Sequence, residues 1–237
     1  MRRVHEPRHN ERKERRVFGR RKGHRLHRRQ ARLLETLLPR IATAEPLPDR
    51  LDLDKLFGRP VDQCRLEIGF GGGEHLIWQA RHNPNICMIG CEPFINGIAK
   101  LLTGIEDLKL GNIRVYPNDA RDILDVLPRG AISRIFLLFP DPWPKMRHAK
   151  RRFITDQRLD QLVAIAAPGA ELRIASDMPG HVDWVLSHIL DHGGFAWLGE
   201  TPCDWRVRPN DWPETRYEKK ALQAGRKPVY LRFKRMS

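Results

Sequence analysis

Residues 64–74 read CRLEIGFGGGE. Five residues of strand character run into glycines at 69, 71, 72 and 73, and a helix-compatible stretch begins at Glu74. Gly69, Gly71 and Gly73 permit a tight turn and a close approach of the backbone just before a helix N-terminus. The dinucleotide spacing GxGxxG fails from either start: Glu74 stands where the third glycine counted from Gly69 belongs, and Leu76 where it belongs counted from Gly71. An acid entering the turn, Glu67, suits a positively charged ligand group better than a pyrophosphate. By itself such a turn is also compatible with a plain loop.

The pattern continues outward as strand–helix alternation. Apolar runs at Cys64–Ile68, Ile86–Cys91, Ile113–Tyr116, Arg134–Phe139 and Ala170–Ala175 predict strands. Helical stretches are expected between them at Glu74–Arg81, Phe94–Leu108, Arg121–Leu127 and Phe153–Ala166, with Gly180–Leu190 after the last. This spacing implies right-handed βαβ units and a doubly wound, mostly parallel sheet of α/β class. Phe195–Leu198 and Val229–Phe233 would extend its edge to seven strands, separated by the polar, Trp-bearing insertion CDWRVRPNDWPETRYEKK. In such a sheet, ligands bind beyond the C-terminal strand ends near the point where strand order reverses.

The formal net charge is +14 over 237 residues. Its distribution is uneven: residues 1–40 hold 15 Lys and Arg against 4 acids, and the remainder 28 against 25. A basic arm on a near-neutral body points to a polyanion, nucleic acid first and an anionic membrane surface second. Residues 1–25 lack apolar periodicity and are expected to be disordered in the free protein. From Leu26 a short amphipathic helix, with Leu33, Leu34, Leu37 and Leu38 on one face, is expected to end near Pro39. A proline-punctuated connector then leads to the main domain, giving a division into 1–58 and 59–237. No secretory leader and no membrane span are expected. Cys64, Cys87, Cys91 and Cys203 do not form a disulfide framework. Cys87 and Cys91 have a spacing open to a metal, but they bracket an apolar run and read best as buried free thiols, so no metal site is assigned. A cytoplasmic setting fits.

Two more acids follow at successive strand ends. Glu92 closes the second strand, 19 positions after Gly73, where a carboxylate can accept both ribose hydroxyls. It also fits as a helix-start acid if Pro93 is the first helical residue. Asn118 and Asp119 close the third, where Asp119 would equally make an N-cap. The string Glu67-x-Gly69-x-Gly71-x-Gly73 resembles motif I of the Rossmann-like S-adenosylmethionine methyltransferases. That resemblance implies S-adenosylmethionine as cofactor, with Glu67, Gly69, Gly71, Glu92 and Asp119 around it, and Asp119 near the adenine amino group.

The fourth strand leads into residues 135–152, IFLLFPDPWPKMRHAKRR. Pro140, Pro142 and Pro144 fix three φ angles and bar a helix, so Asp141 and Trp143 stand on a stiff loop before a basic cluster. The loop is similar to the [DNS]PP[YFW] loop of amino-methyltransferases but does not match it, since Trp143 precedes the next proline. The full string from Pro140 to Arg152 resembles the signature of the bacterial tRNA (guanine-N7)-methyltransferases. That likeness extends over the EIGFGGGEH turn, Asp177 in IASDMPG and the late TRYE, from about Val17 to the C-terminus.

The resemblance implies methylation of N7 of the variable-loop guanosine at position 46 of tRNA, with tRNA as partner and no obligatory protein partner. Asp141 would be the catalytic carboxylate at the cofactor–substrate junction, touching both. Lys145 would meet the RNA, with Arg147, His148, Lys150, Arg151 and Arg152 forming an RNA-contacting segment. Asp177 and Thr215, Arg216, Tyr217 and Glu218 would complete the guanosine pocket. From the residues alone, Asp177 also reads as a strand-end turn and Thr215-x-x-Glu218 as a capping box. Trp143 is open to stacking on a base or packing under its loop. The competing functions are methylation of another RNA base and non-catalytic RNA binding on a retained scaffold; an NAD oxidoreductase conflicts with the glycine spacing.

Overall fold

The computed structural model describes residues 21–236, so the expectation for residues 1–20 lies outside the described residues. Seven strands form one sheet: β1 (Cys64–Ile68), β2 (Cys87–Cys91), β3 (Ile113–Tyr116), β4 (Ile132–Leu138), β5 (Ala166–Ser176), β6 (Phe195–Trp197) and β7 (Val229–Arg235). Their order is β3-β2-β1-β4-β5-β7-β6. Strands β1 to β5 pair in parallel, and β7 runs against both β5 and β6. This is the expected Rossmann-like, doubly wound sheet. Strand order reverses between β1 and β4, which opens a crevice at their C-terminal ends.

Alternation along the strands sends side chains to opposite faces. Cys64, Leu66 and Ile68 of β1 join one apolar cluster, with Leu159 and Leu162 of α7 (Asp156–Ile165) and Val185 and Ile189 of α8 (Pro179–His192). The other cluster holds Leu76 and Ala80 of α4 (Glu74–His82), Leu101 and Ile105 of α5 (Ile95–Leu108), Phe136 and Trp212. Gly90 in β2 lets α4 come close, since a Cβ there would lie 2.4 Å from a Leu76 methyl.

Helix α1 (Arg28–Thr36) buries Leu33 against the α5 side, and Arg29 and Arg32 pair with Glu106. The chain does not stop at Pro39. It re-forms one turn, α2 (Leu38–Ile41), because proline at an early helical position loses no intrahelical bond. The connector contains α3 (Leu53–Phe57), capped by Asp52 and closed by Gly58 at φ 68°. Helix α6 (Ala120–Ile123) is shorter than expected, and α7 begins only after Thr155, whose hydroxyl accepts from the Arg158 N–H. The late insertion supplies α9 (Cys203–Arg206) and α10 (Arg216–Gln223).

Residues 21–25 depart from the disorder expected of them. Ile95 N–H donates to the Arg21 carbonyl, Gly23 N–H to Asn96 Oδ1, and Asn96 Nδ2 to the His24 carbonyl. The end of the basic arm is thereby hydrogen-bonded to the start of α5. Among the described residues no helix is long and apolar enough to cross a membrane.

Candidate active site

The glycine turn is built as its sequence requires. Gly69, Gly71 and Gly73 have φ of 72°, 57° and 82°, a region that strains other residues. The turn is pinned from α5, where a Cβ on Gly97 would lie 2.1 Å from the Gly71 carbonyl oxygen. A Cβ on Gly69 would meet nothing within 4 Å, so this part of the turn faces open space beside the cleft lined by Glu67, Phe70, His75, Phe139 and Tyr217. The open space at Gly69, with Glu67 and Glu74 in the adjoining lining, suits the cationic end of a cofactor.

Glu67, buried at 2% exposure, has its Oε2 2.7 Å from His75 Nδ1. Glu92 is also buried; its carboxylate accepts from Gly71 N–H at 2.8 Å and from Phe94 N–H at 2.9 Å, leaving lone pairs for further donors. Burial raises the Glu92 carboxyl pKa from its ordinary value, and the two N–H groups oppose that shift. Pro93 is not the first helical residue: α5 starts at Ile95 with Phe94 as its N-cap. Glu92 therefore cross-links the turn to the helix start. Asp119 caps α6 through the Arg121 N–H and also receives the Arg121 guanidinium at 2.6 and 2.9 Å. Burial acts to raise its pKa, but the Arg121 bonds outweigh that and hold it below the usual carboxylate value.

Asp141 lies beyond the end of β4, exposed, and forms no hydrogen bond or ion pair among the described residues. Partial desolvation in the proline loop raises its pKa. The loop is strained on both sides, with Phe139 at φ 49° and Trp143 at φ 41°. Such left-handed conformations cost about 1–3 kcal/mol each in a non-glycine residue and cluster at functional sites.

The basic cluster divides in two. Lys145, Arg147 and Lys150 are exposed, the last two on a 3-10 helix (Met146–Arg151) that the prolines do not prevent because it starts after them. Arg152 is a correction to the expected RNA-contacting segment. It is buried, donates to the Trp143 carbonyl at 3.1 and 3.2 Å, and stacks over Trp184 at 4.4 Å. Its guanidinium holds the loop from beneath. Trp143 packs within the loop, edge-on to His148 and under Arg151.

The late TRYE segment also divides. Thr215 caps α10 by accepting from the Glu218 N–H, but the box is incomplete because Glu218 turns inward, accepting from Tyr230 Oη at 2.6 Å and pairing with Arg208 Nε at 2.9 Å. Arg216 is exposed. Tyr217 reaches the glycine turn: a Cβ on Gly71 would lie 2.9 Å from its ring. Burial raises its phenol pKa first, with Glu92, Asp141 and Glu74 adding to the shift, so the hydroxyl stays a donor among these acids. Asp177, after β5, pairs with Arg226 at 2.5 Å.

The side chains that nothing in the sequence pattern singled out are His75 and Gln79. They stand four apart on α4, on the face toward Glu67, and are 2% and 1% exposed. Polar residues at that spacing look like a solvated helix face. The available signal was that Arg65 and Glu67 alternate on the same side of an otherwise apolar strand. Cys64, Cys87 and Cys91 are buried free thiols, while Cys203 is free and exposed.

Residues 62–231 match a family model described as a putative methyltransferase. A tRNA (guanine-N(7)-)-methyltransferase of Rhodospirillum rubrum is 53% identical over 93% of this chain and 88% of its own. One of Chelativorans sp. is 47% identical over 97% and 99%. Among solved structures, the 16S rRNA methyltransferase KamB superposes with a TM-score of 0.60 over 83% of this chain and 99% of its own, at 14% identity, a likeness of fold. With the acids lined up at successive strand ends and near half of its residues shared with these relatives along almost its whole length, the chain belongs to the tRNA (guanine-N7)-methyltransferase family.

Proposed function

We propose that this protein methylates N7 of guanine in tRNA, at the variable-loop guanosine of position 46, with S-adenosylmethionine as donor. The observation that carries the proposal is the row of carboxylates Glu67, Glu92, Asp119 and Asp141 at the C-terminal ends of β1, β2, β3 and β4. When bound, S-adenosylmethionine supplies a methyl group activated by its sulfonium. Glu92 would accept the ribose hydroxyls, Glu67 would face the positively charged amino-acid end, and Asp119 would receive the adenine amino group. Gly69 and Gly71 let the turn approach the donor closely.

Guanine N7 already carries an in-plane lone pair, so no base need remove a proton before it attacks. The protein has to hold N7 in line with the methyl group, a contribution that is largely entropic. Methylation leaves positive charge on the purine. The unpaired Asp141 carboxylate can stabilise that charge more in the transition state than in the ground state, or orient the ring, without acting as a Brønsted base. Tyr217, between the glycine turn and the acids, would close the junction of donor and acceptor, and Asp177 with Thr215, Arg216 and Glu218 would shape the guanosine pocket. Lys145, Arg147, His148, Lys150 and Arg151 would follow the RNA backbone, and a tRNA substrate fits a cytoplasmic setting.

Single-turnover rates in light and heavy water test the role of Asp141. With no proton in flight, the expected rates agree once pH is corrected, and a solvent isotope effect that disappears in Asp141→Asn would make Asp141 a base.

A further inference from the structure

Behind Glu67 lies a buried polar chain that the proposed reaction does not use. Arg65 Nη1 donates to Gln79 Oε1 at 2.8 Å, and Gln79 Nε2 donates to the Asp211 carbonyl at 2.8 Å. A guanidinium only donates and a carbonyl only accepts, so both neighbours independently set the same orientation of the Gln79 amide. That orientation points the amide nitrogen at His75 Nε2, 3.3 Å away. His75 Nε2 must then be the unprotonated acceptor, and the proton sits on Nδ1, which donates to Glu67 Oε2 at 2.7 Å. An imidazolium would set an N–H against an amide donor inside a site where water cannot intervene. The chain thus keeps His75 neutral and leaves the negative charge of Glu67 uncancelled.

The surroundings fix this arrangement. The His75 ring is edge-on to Phe136 at 4.5 Å and tilted against Trp212 at 6.2 Å. Asp211, next to Trp212, also pairs with Arg173 at 2.9 Å. The late insertion therefore locks the far end of the chain. One carboxylate oxygen of Glu67 is taken by His75, no other hydrogen bond to the Glu67 carboxylate forms among the described residues, and Glu67 lines the cleft.

We propose that His75 is a positioning residue for donor binding: held neutral by Gln79, it fixes the Glu67 carboxylate so that its free oxygen meets the ammonium group of S-adenosylmethionine. This rests on the reading of Glu67 as a donor-binding acid. A hydrogen bond to a charged group contributes about 1.5–3 kcal/mol, so His75→Leu raises the Kd for S-adenosylmethionine about tenfold or more. His75→Asn, whose amide can replace the Nδ1 donor, recovers most of the affinity.

The test is a thermodynamic cycle by calorimetric titration of S-adenosylmethionine into the full chain, His75→Leu, His75→Asn, Glu67→Gln and the Glu67→Gln/His75→Leu pair, with thermal unfolding recorded for each. In the Glu67→Gln background, His75→Leu is expected to add less than about twofold, since the group it acts through is gone. Steady-state rates accompany it, with KM for S-adenosylmethionine expected to rise more than kcat falls. If Glu67→Gln leaves affinity intact, the reading of Glu67 falls and the inference with it. If Glu67→Gln weakens binding but His75→Leu does not, or if the two effects multiply, only the inference falls. Should His75→Leu fail to fold, nitrogen-15 NMR of the imidazole ring, assigned against His75→Asn, decides directly: a proton on Nδ1 alone supports the inference, and one on Nε2 overturns it.

Discussion

The proposed donor half and the proposed acceptor half of the cleft are built in opposite ways. On the donor side, Glu67, Glu92 and Asp119 each receive hydrogen bonds from the protein, and Glu67 and Glu92 are buried. On the acceptor side, Asp141 has no hydrogen bond or ion pair among the described residues and stands on an exposed loop with left-handed backbone at Phe139 and Trp143, and the side chains of Lys145, Arg147 and Lys150 project into solvent. A preorganised donor half suits a small, constant ligand, because its ordering cost is met at folding. An exposed, charged acceptor half suits a large polyanion that brings its own shape. Changes on the donor side should therefore act on cofactor affinity and stability, and changes on the acceptor side on turnover and salt-dependent tRNA binding.

The largest expected departure is at Asp141. Asp141→Asn should lower kcat about 100-fold or more, as loss of a charge-stabilising group does, while Kd for S-adenosylmethionine rises only a few-fold. Because desolvation raises the Asp141 pKa, the charge it supplies is lost as pH falls through a value above the ordinary one. The wild-type rate should thus decline on the acid side at a pH above the ordinary aspartate value, and the residual Asp141→Asn rate should lack that limb. An equal loss of cofactor affinity in Asp141→Asn would merge the two halves.

Gly97→Ala probes the other half. Its methyl would sit 2.1 Å from the Gly71 carbonyl oxygen, so the turn must shift. A loss of about 1–3 kcal/mol in stability is expected, together with weaker cofactor binding, while tRNA affinity at low salt stays close to wild type. Unfolding curves and titrations of both ligands would show it.

Within the acceptor half, Arg152 and Lys150 should separate although they stand close in sequence. Arg152→Ala removes the bonds to the Trp143 carbonyl and the stack on Trp184, and should cost about 2 kcal/mol of stability. Lys150→Ala should leave the melting temperature unchanged and reduce the slope of log K against log salt by about 1. Deleting residues 1–20 should reduce that slope further without affecting S-adenosylmethionine affinity. Deletion to residue 25 also removes the bonds to Asn96 at the start of α5, so a cofactor effect confined to the longer deletion would mark residues 21–24 as part of the donor half.

The strands β1 and β3 were legible to the residue because each is a short, mostly apolar run closed by a breaker, Gly69 after β1 and Pro117 after β3. The glycine turn and the order of the acids followed from the same alternation. Three things were hidden for physical reasons. The short helices α3, α9 and α10 carry too few turns for a periodic signal, and their caps, Asp52 and Thr215, are the visible trace. Arg152 could not be told from its basic neighbours, since only the fold shows which way a guanidinium points. His75 and Gln79 were concealed because a buried hydrogen-bonded pair has the same polarity as a solvated face, and its partners lie at Glu67 and Asp211, one before and one far after it in sequence.

The most direct measurement of the proposed activity is to incubate the protein with methyl-labelled S-adenosylmethionine and bulk tRNA, digest the RNA and map the labelled nucleoside. The expected product is N7-methylguanosine at position 46 of the variable loop, formed about 100-fold more slowly when Asp141→Asn replaces the wild type under the same conditions. Label in any other nucleoside, or none in tRNA at all, would contradict the assignment of this cleft to guanine N7.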